Sequence, residues 1–241
     1  MPSGGAGAAY AGGELELFRE AHRWKRYLAA CLRDSIAGEV LEVGAGIGGT
    51  TRVLCRADLQ RWLALEPDPQ LARQIERESF SCPVEVAVAT LEGLPAEERF
   101  DTVLYIDVLE HIADDVAELR RAALHLRPGG RLVVVAPAHA WLYSEFDRAI
   151  GHHRRYAASD LHELTPAGLT LQGVRYLDSV GTLASLANRL LLRQSDPTRA
   201  QIDFWDRFMV PLSRLVDPLL GHRLGRTVVG IWCSPPDARP A

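Results

Sequence analysis

The segment 39–51, EVLEVGAGIGGTT, constrains this chain more than any other part of it. Val40, Leu41 and Val43 are the apolar residues of a short buried strand, which runs straight into Gly44, Gly46, Gly48 and Gly49. Helix-compatible residues follow over 51–56. A strand, closely spaced glycines and a helix make the first βα turn of a nucleotide-binding sheet. Glycine is required there because any Cβ holds the backbone away from a ligand lying across the strand tip. Gly44, Gly46 and Gly49 also satisfy the dinucleotide pattern G-x-G-x-x-G. The turn alone therefore leaves open which adenosine-bearing cofactor it serves.

The rest of the chain alternates strand and helix. Residues 1–13 are rich in glycine and alanine and read as a disordered tail, and 14–241 read as one domain. Apolar residues recur at helical spacing over 14–32. A second strand spans 62–65, with Glu66 at its tip, and Pro67 and Pro69 open a helix running to 79. A third strand covers 83–89. The fourth, 100–106, is almost continuously apolar, as a parallel strand covered on both faces must be, and Asp107 ends it. Asp114 and Asp115 start a helix over 116–126 that Pro128-Gly129-Gly130 terminates, and a fifth strand follows at 131–136. This order predicts an α/β fold: a doubly wound, Rossmann-like, mostly parallel sheet of about seven strands with helices on both faces.

Beyond Pro137 a long connection rich in His, Tyr, Trp and Arg leads to a short helix capped by Ser159 or Asp160, then to strand character over 169–176. Residues 181–222 read as a helical insertion before a last strand at 226–232. Leu183, Leu186, Leu190 and Leu191 form one of its stripes. Trp205, Phe208, Met209, Leu212, Leu215, Val216 and Leu219 form the other, kinked or broken at Pro211 and Pro218. Such an element can cover a pocket, make a dimer or lie on a membrane surface.

Composition narrows the function. A formal charge of −4 argues against a broad nucleic-acid surface, and Lys25 is the only lysine, which nearly excludes Schiff-base chemistry. Cys31, Cys55, Cys82 and Cys233 are scattered without metal-ligand spacing and read as reduced, buried small hydrophobes. No apolar run reaches the roughly 18 residues of a membrane span, and no secretion signal is evident. A cytoplasmic protein is expected, monomeric or homodimeric, with peripheral membrane association through 201–220 as one role for the insertion.

Glu42 separates the candidate cofactors. It lies inside an apolar strand, and a buried carboxylate is costly without a partner. A dinucleotide brings no cation to that strand tip, whereas an adenosine that carries an amino acid brings an ammonium. Together EVGAGIGG (42–49), LEPDP (65–69), YIDVLEHI (105–112) and LRPGGRLVVVAP (126–137) resemble the class I S-adenosylmethionine-dependent methyltransferases. The resemblance covers 14–177 and the closing strand, and GHHRRY (151–156) resembles a loop in a bacterial subset of these enzymes, often with small-molecule or glycan substrates.

The resemblance implies that S-adenosyl-L-methionine is the cofactor and S-adenosyl-L-homocysteine the product. Gly44, Gly46 and Gly48 would line its methionine and ribose, with Glu42 toward the methionine end. Glu66 would accept the ribose hydroxyls and Pro67 would pack beside the adenine. Asp107 would meet the ammonium, and His111 would close the site. An acid that often binds the adenine amino group is replaced by Ala89-Thr90-Leu91, so Thr90 or the Leu91 backbone is expected to substitute.

The expected reaction is methyl transfer to a small-molecule acceptor, at oxygen rather than nitrogen or carbon. A hydroxyl acceptor needs a base, for which His152 and His153 are the candidates, with Asp107, His139 and Tyr143 in reserve; a carboxylate acceptor needs none. Arg154 and Arg155 would hold an anionic substrate beside Tyr143 and Tyr156, or else pin the loop to acidic neighbours. Adjacent histidines in an extended chain point apart, so no metal site is expected from them. Two other readings stand: a nicotinamide-dependent oxidoreductase, and a cofactor-binding protein that transfers no methyl.

Overall fold

The computed structural model describes residue 15 and residues 18–187 and 198–236. The tail 1–13, Glu16 and Leu17 of the first helical pattern, and Leu190 and Leu191 of the insertion lie outside the described residues.

Seven strands form one sheet: β1 Glu39–Val43, β2 Arg61–Leu65, β3 Val84–Ala87, β4 Phe100–Ile106, β5 Leu126–Pro137, β6 Thr170–Leu177 and β7 Thr227–Cys233. Their order is β3-β2-β1-β4-β5-β7-β6. The first five pair in parallel, and β7 runs antiparallel between β5 and β6. The chain reverses direction across the sheet at β1 and β4, so the tips of these two strands flank the crevice where open α/β sheets bind ligands.

The central strands are buried on both faces, which explains their unbroken apolar runs. One face of β4 carries Leu104 and Ile106 into a core with Tyr27, Leu28, Ile202 and Trp205. The other carries Val103 and Tyr105 against Leu119 and Ala122. These partners come from α1 (His22–Leu32) and the insertion on one side, and from α4 (Asp115–Leu124) on the other. Between them lie α2 (Thr51–Leu54) and α3 (Pro69–Glu76), the latter capped by Asp68, whose carboxylate accepts from the Gln70 and Leu71 amides.

Several boundaries differ from the sequence reading, each for a local reason. The helical pattern over 14–32 is broken at Glu20 and Ala21: Leu15, Phe18 and Arg19 are helical, and α1 starts anew at His22, where Asp206 accepts from Arg23 N at 3.1 Å and Trp24 N at 2.8 Å. Pro128-Gly129-Gly130 does not separate helix from strand. Leu126 already pairs with Phe100, and 127–130 bulge out before Arg131 pairs with Thr102. Pro211 does not break the insertion. A π-helical turn, Trp205–Met209, precedes it, so Pro211 falls in the first turn of α9 (Val210–Leu219), where no amide is missed. After the short α5 (Glu145–Ala149) and α6 (Ala158–Glu163), the insertion's other helices are α7 (Ser179–Ala187) and α8 (Arg199–Phe204).

One cysteine expectation is overturned. Cys55 and Cys82 are joined by a disulfide, with Cα atoms 5.5 Å apart. Cys55 closes α2 and Cys82 precedes β3, and the pairing of β2 with β3 brings them together; 27 residues of intervening chain hide this from the sequence. Cys31 and Cys233 are free.

Candidate active site

The glycine turn is built as its residues require. Gly44, Gly46 and Gly48 have φ of +72°, +59° and +73°, a region where side chains are strained. At Gly44 a Cβ would also meet Val108 at 2.7 Å. Gly44 N and Ala45 N donate to Leu65 O, at 2.8 and 2.9 Å, which folds the turn over the tip of β2. Glu66 then ties the two tips together: its Oε2 accepts from Gly46 N at 2.7 Å and its Oε1 from Asp68 N at 3.0 Å. Burial pushes the Glu66 carboxyl up while these amide bonds pull it down.

Glu42 finds its partners inside the protein. Its Oε2 accepts from Thr51 Oγ1 at 2.6 Å and from Trp62 Nε1 at 2.9 Å, so no ligand cation is needed to satisfy it. The side chain also lines the main cavity. Burial pushes its pKa up to about 7, against the pull of those two donors. The folded value lies above the ordinary 4.5, so the stability carried by neutral Glu42 is full below pH 4.5 and is lost as pH rises through 7. Wild-type protein is expected to lose about 3 kcal/mol from this group across that window. Glu42→Gln should flatten the curve in urea titrations at each pH; an unchanged slope would refute the assignment.

Across the crevice, Asp107 ends β4 in the left-handed region, φ +53°, with its amide donating to Val135 O at 2.9 Å. It opens onto the cavity, yet the protein around it pushes its carboxyl up to about 6 by desolvation, against the pull of His152 and Arg226. The turn Leu109–His111 follows. Burial, helped by His152 and His153, pushes the His111 imidazole down to about 4, so it is neutral near pH 7.

The 151–156 loop divides its residues between cavity and scaffold. His152 points in. Its Nδ1 sits 2.9 Å from Asp147 Oδ1, its Nε2 3.8 Å from Glu110 Oε1, and its ring meets that of His111 edge-on at 4.6 Å. His153 is exposed and away from the cavity, and its amide donates to Glu110 O at 2.8 Å. As a base it is therefore withdrawn. Arg154 also lies outside, pairing with Asp115 at 2.9 Å and donating to Ala113 O. Tyr156 is buried, its hydroxyl on Asp115 Oδ2 and Leu109 O. Neither can touch a substrate in the cavity. Arg155 lines the cavity but is spent on Asp147, both nitrogens at 2.9 Å. Tyr143 lines it too and donates to His152 O at 2.7 Å. The arginines pin the loop, and the pinning aims His152 inward. His139, in reserve as a base, instead stacks on Tyr176 and Trp141.

Sequence reasoning missed Glu110, Asp147 and Arg226. Glu110 stands in the VLEHI motif and is fully buried, the same signal that singled out Glu42. Asp147 is the third helical residue of a capping box with Ser144, a pattern legible in SEFD. Burial would raise its carboxyl, but His152 and Arg155 hold it well below the usual carboxylate range.

Glu66, Pro67, Thr90, Leu91, Asp107 and His111 all border one cavity of about 1600 Å³. Single-ligand pockets usually measure roughly 300–1000 Å³, so a cofactor and an acceptor fit side by side. The open glycine turn, the two tip carboxylates and this volume suit an adenosine cofactor bearing an amino acid. Ile202, Trp205 and Met209 of the insertion form the opposite wall with Phe18 and Trp24.

Comparison with known proteins agrees with this geometry. Residues 41–132 match the family model described as a methyltransferase domain. A ubiquinone biosynthesis O-methyltransferase of Xanthomonas euvesicatoria is 36% identical over 105 residues, 42% of this chain and 44% of that protein, so the alignment spans less than half of either. Among solved structures, a chain of the complex between the Haloferax volcanii Trm112 methyltransferase activator and a methyltransferase superposes with a TM-score of 0.62 at 17% identity, over 94% of this chain and 96% of that one. The N-methyltransferase NodS of Bradyrhizobium japonicum, in complex with S-adenosyl-L-homocysteine, gives 0.54 at 16% identity over 90% and 88%. Residues 41–132 thus match a methyltransferase domain, and the fold that completes them is shared with solved methyltransferase structures.

Proposed function

We propose that this protein transfers a methyl group from S-adenosyl-L-methionine to an oxygen of a small-molecule acceptor, releasing S-adenosyl-L-homocysteine. One observation carries the reading: the glycine turn and Glu66 open into the same cavity as the Asp107–His152 group. The O-methyltransferase relative supports oxygen as the methylated atom. The bound cofactor supplies a methyl already activated on a sulfonium, so the protein mainly holds and aligns the acceptor.

Gly44, Gly46 and Gly48 are assigned to the methionine and ribose side, with Glu42 behind them. Glu66 is assigned to the ribose hydroxyls, Pro67, Thr90 and Leu91 to the adenine, and Asp107 with His111 to the amino-acid end. His152 is the assigned base. Asp147, held ionised, can only accept, so the proton of the His152 ring sits on Nδ1 and the Nε2 lone pair is free toward the cavity.

Calorimetry with S-adenosylmethionine and with NAD tests the reading, and binding of NAD alone would overturn it in favour of an oxidoreductase. Persistent absence of S-adenosylhomocysteine release across candidate acceptors would favour a protein that binds the cofactor without transferring methyl. Glu66→Gln, which keeps a carbonyl oxygen for the loop amides, is expected to weaken cofactor binding by about 1–3 kcal/mol through lost charge-assisted bonds. Unchanged affinity removes Glu66 from the ribose.

The insertion supports one partner. Phe204, Phe208, Leu212, Leu215 and Leu219 recur at helical spacing and all face solvent, Leu219 at 85% exposure and Phe208 at 57%. Exposed Arg199, Arg207, Arg214 and Arg223 accompany them. An apolar stripe with arginines alongside suits an anionic lipid surface. No described helix is long and apolar enough to cross a membrane. The cytoplasmic leaflet is the anionic one, so peripheral association with that face, as a monomer, is the reading this stripe supports. Phosphatidylglycerol vesicles should sediment the wild type and not Phe208→Ser/Leu215→Ser. A wild-type homodimer that ignores vesicles would overturn this assignment.

A further inference from the structure

The wall of the cavity holds a group that alignment of an acceptor does not require. Glu110 is fully buried, and among the described residues neither carboxylate oxygen has a hydrogen-bond partner. A carboxylate in that state is costly. Its surroundings deepen the cost, because Asp107 and Asp147 repel it, against the pull of its own backbone amide and of Arg155. Arg155 is already shared with Asp147, at 2.9 Å.

Two imidazoles face the same carboxylate. One ligand atom each from Glu110, His111 and His152 all lie within 4.8 Å of one another. We propose that Glu110, His111 and His152 form a binding site for one divalent first-row cation such as zinc, cobalt or manganese. Two imidazole nitrogens and a carboxylate oxygen are a donor set that these ions accept.

The surroundings of the two rings fit the assignment. Metal-ligating histidines have their second nitrogen engaged by an outer acceptor, which sets the tautomer and aims the ring. His152 does this through Nδ1 on Asp147, leaving Nε2 toward Glu110. His111 bonds the Gly151 backbone. The loop that brings His152 is itself clamped to the Glu110 turn, with His153 N on Glu110 O at 2.8 Å. A cation would supply the positive partner that Glu110 lacks.

The use of the site rests on the methyl-transfer reading; its existence does not. With a cation held, Nε2 of His152 is a ligand rather than a base. An acceptor oxygen on the cation then becomes more acidic, and Asp107 is the neighbouring carboxylate that takes its proton.

Cobalt(II) alone, added to the full chain after dialysis against a chelator, tests the site. One equivalent should bind, with ligand-field bands in the visible spectrum and a raised melting temperature. Glu110→Gln and His152→Asn should each weaken binding by more than about 100-fold, above what loss of an outer partner costs. The exposed His162→Ala should bind as the wild type does. Circular dichroism checks that each variant is folded; an unfolded His152→Asn leaves Glu110→Gln to decide. No cobalt binding by the wild type, or equal binding by folded Glu110→Gln, would overturn the site. Failure here with methyl transfer intact leaves His152 as the base. Cobalt binding without any methyl transfer sinks the functional reading and leaves the site.

Discussion

Asp147→Ala is expected to lower stability by about 3–5 kcal/mol, the cost of stripping one partner from a buried ion pair. Asp147 is 1% exposed and collects five contacts: Ser144 N at 2.8 Å, Ser144 Oγ at 2.7 Å, His152 Nδ1 at 2.9 Å, and Arg155 Nε and Nη2 at 2.9 Å. Alanine leaves the Arg155 guanidinium largely enclosed without a counter-charge. That term outweighs the lost capping box, which is worth about 1 kcal/mol. The same change frees His152 to rotate and to exchange tautomers, so activity should fall further than stability explains. Asp147→Asn separates the two effects: it keeps the shape but presents an N–H where His152 or Arg155 needs an acceptor. Urea titration reads the stability, and a pH–rate profile reads the base. A stability loss within 0.5 kcal/mol of zero would show that the loop is not held this way.

Asp217→Ala should cost a similar amount, about 3–5 kcal/mol, by leaving several buried donors unmatched at once. Asp217 is fully buried. Its Oδ2 accepts from Tyr27 OH and from Asp178 N, each at 2.7 Å, and its Oδ1 from Ser179 N at 3.0 Å and from Ser179 Oγ. One side chain of α9 thereby holds α1, the end of β6 and the start of α7. Asp178 repeats the device, accepting from Trp205 Nε1 at 2.7 Å and Ser213 Oγ at 2.6 Å. Because Trp205 and Met209 form a cavity wall, loosening this joint should open the cavity. The matching control is Tyr27→Phe, which removes one bond and should cost about 1 kcal/mol. Hydrogen exchange over 199–219 is the readout. Protection there that survives Asp217→Ala would show that apolar packing alone holds the insertion.

The parallel half of the sheet was legible because its signals are local. Each strand is a short apolar run, the tips of β1, β2 and β4 carry a glycine or an acid, and Asp68 and Asp114 cap the helices that follow β2 and β4. Glu42, Glu66 and Asp107 could be singled out on the same grounds, as acids placed where a strand ends or an apolar run should exclude them. Their partners could not be read. Thr51 and Trp62 satisfy Glu42 only after the sheet has formed.

The 151–156 loop shows the limit most clearly. Its two histidines, two arginines and tyrosine were equal candidates, and alternation alone said that neighbours diverge without saying which one faces in. Asp115 and Asp147 decided it, by drawing Arg154 and Tyr156 to one side and Arg155 and His152 to the other. Cys55 meeting Cys82, and Asp206 capping a helix 182 residues earlier, were equally out of reach. By itself the sequence determined the strand order's local grammar and the open glycine turn, because backbone conformation and burial period act over a few residues. Only the tertiary structure decided which polar side chains reach the cavity, because a buried charge takes whichever partner the fold brings within about 3 Å.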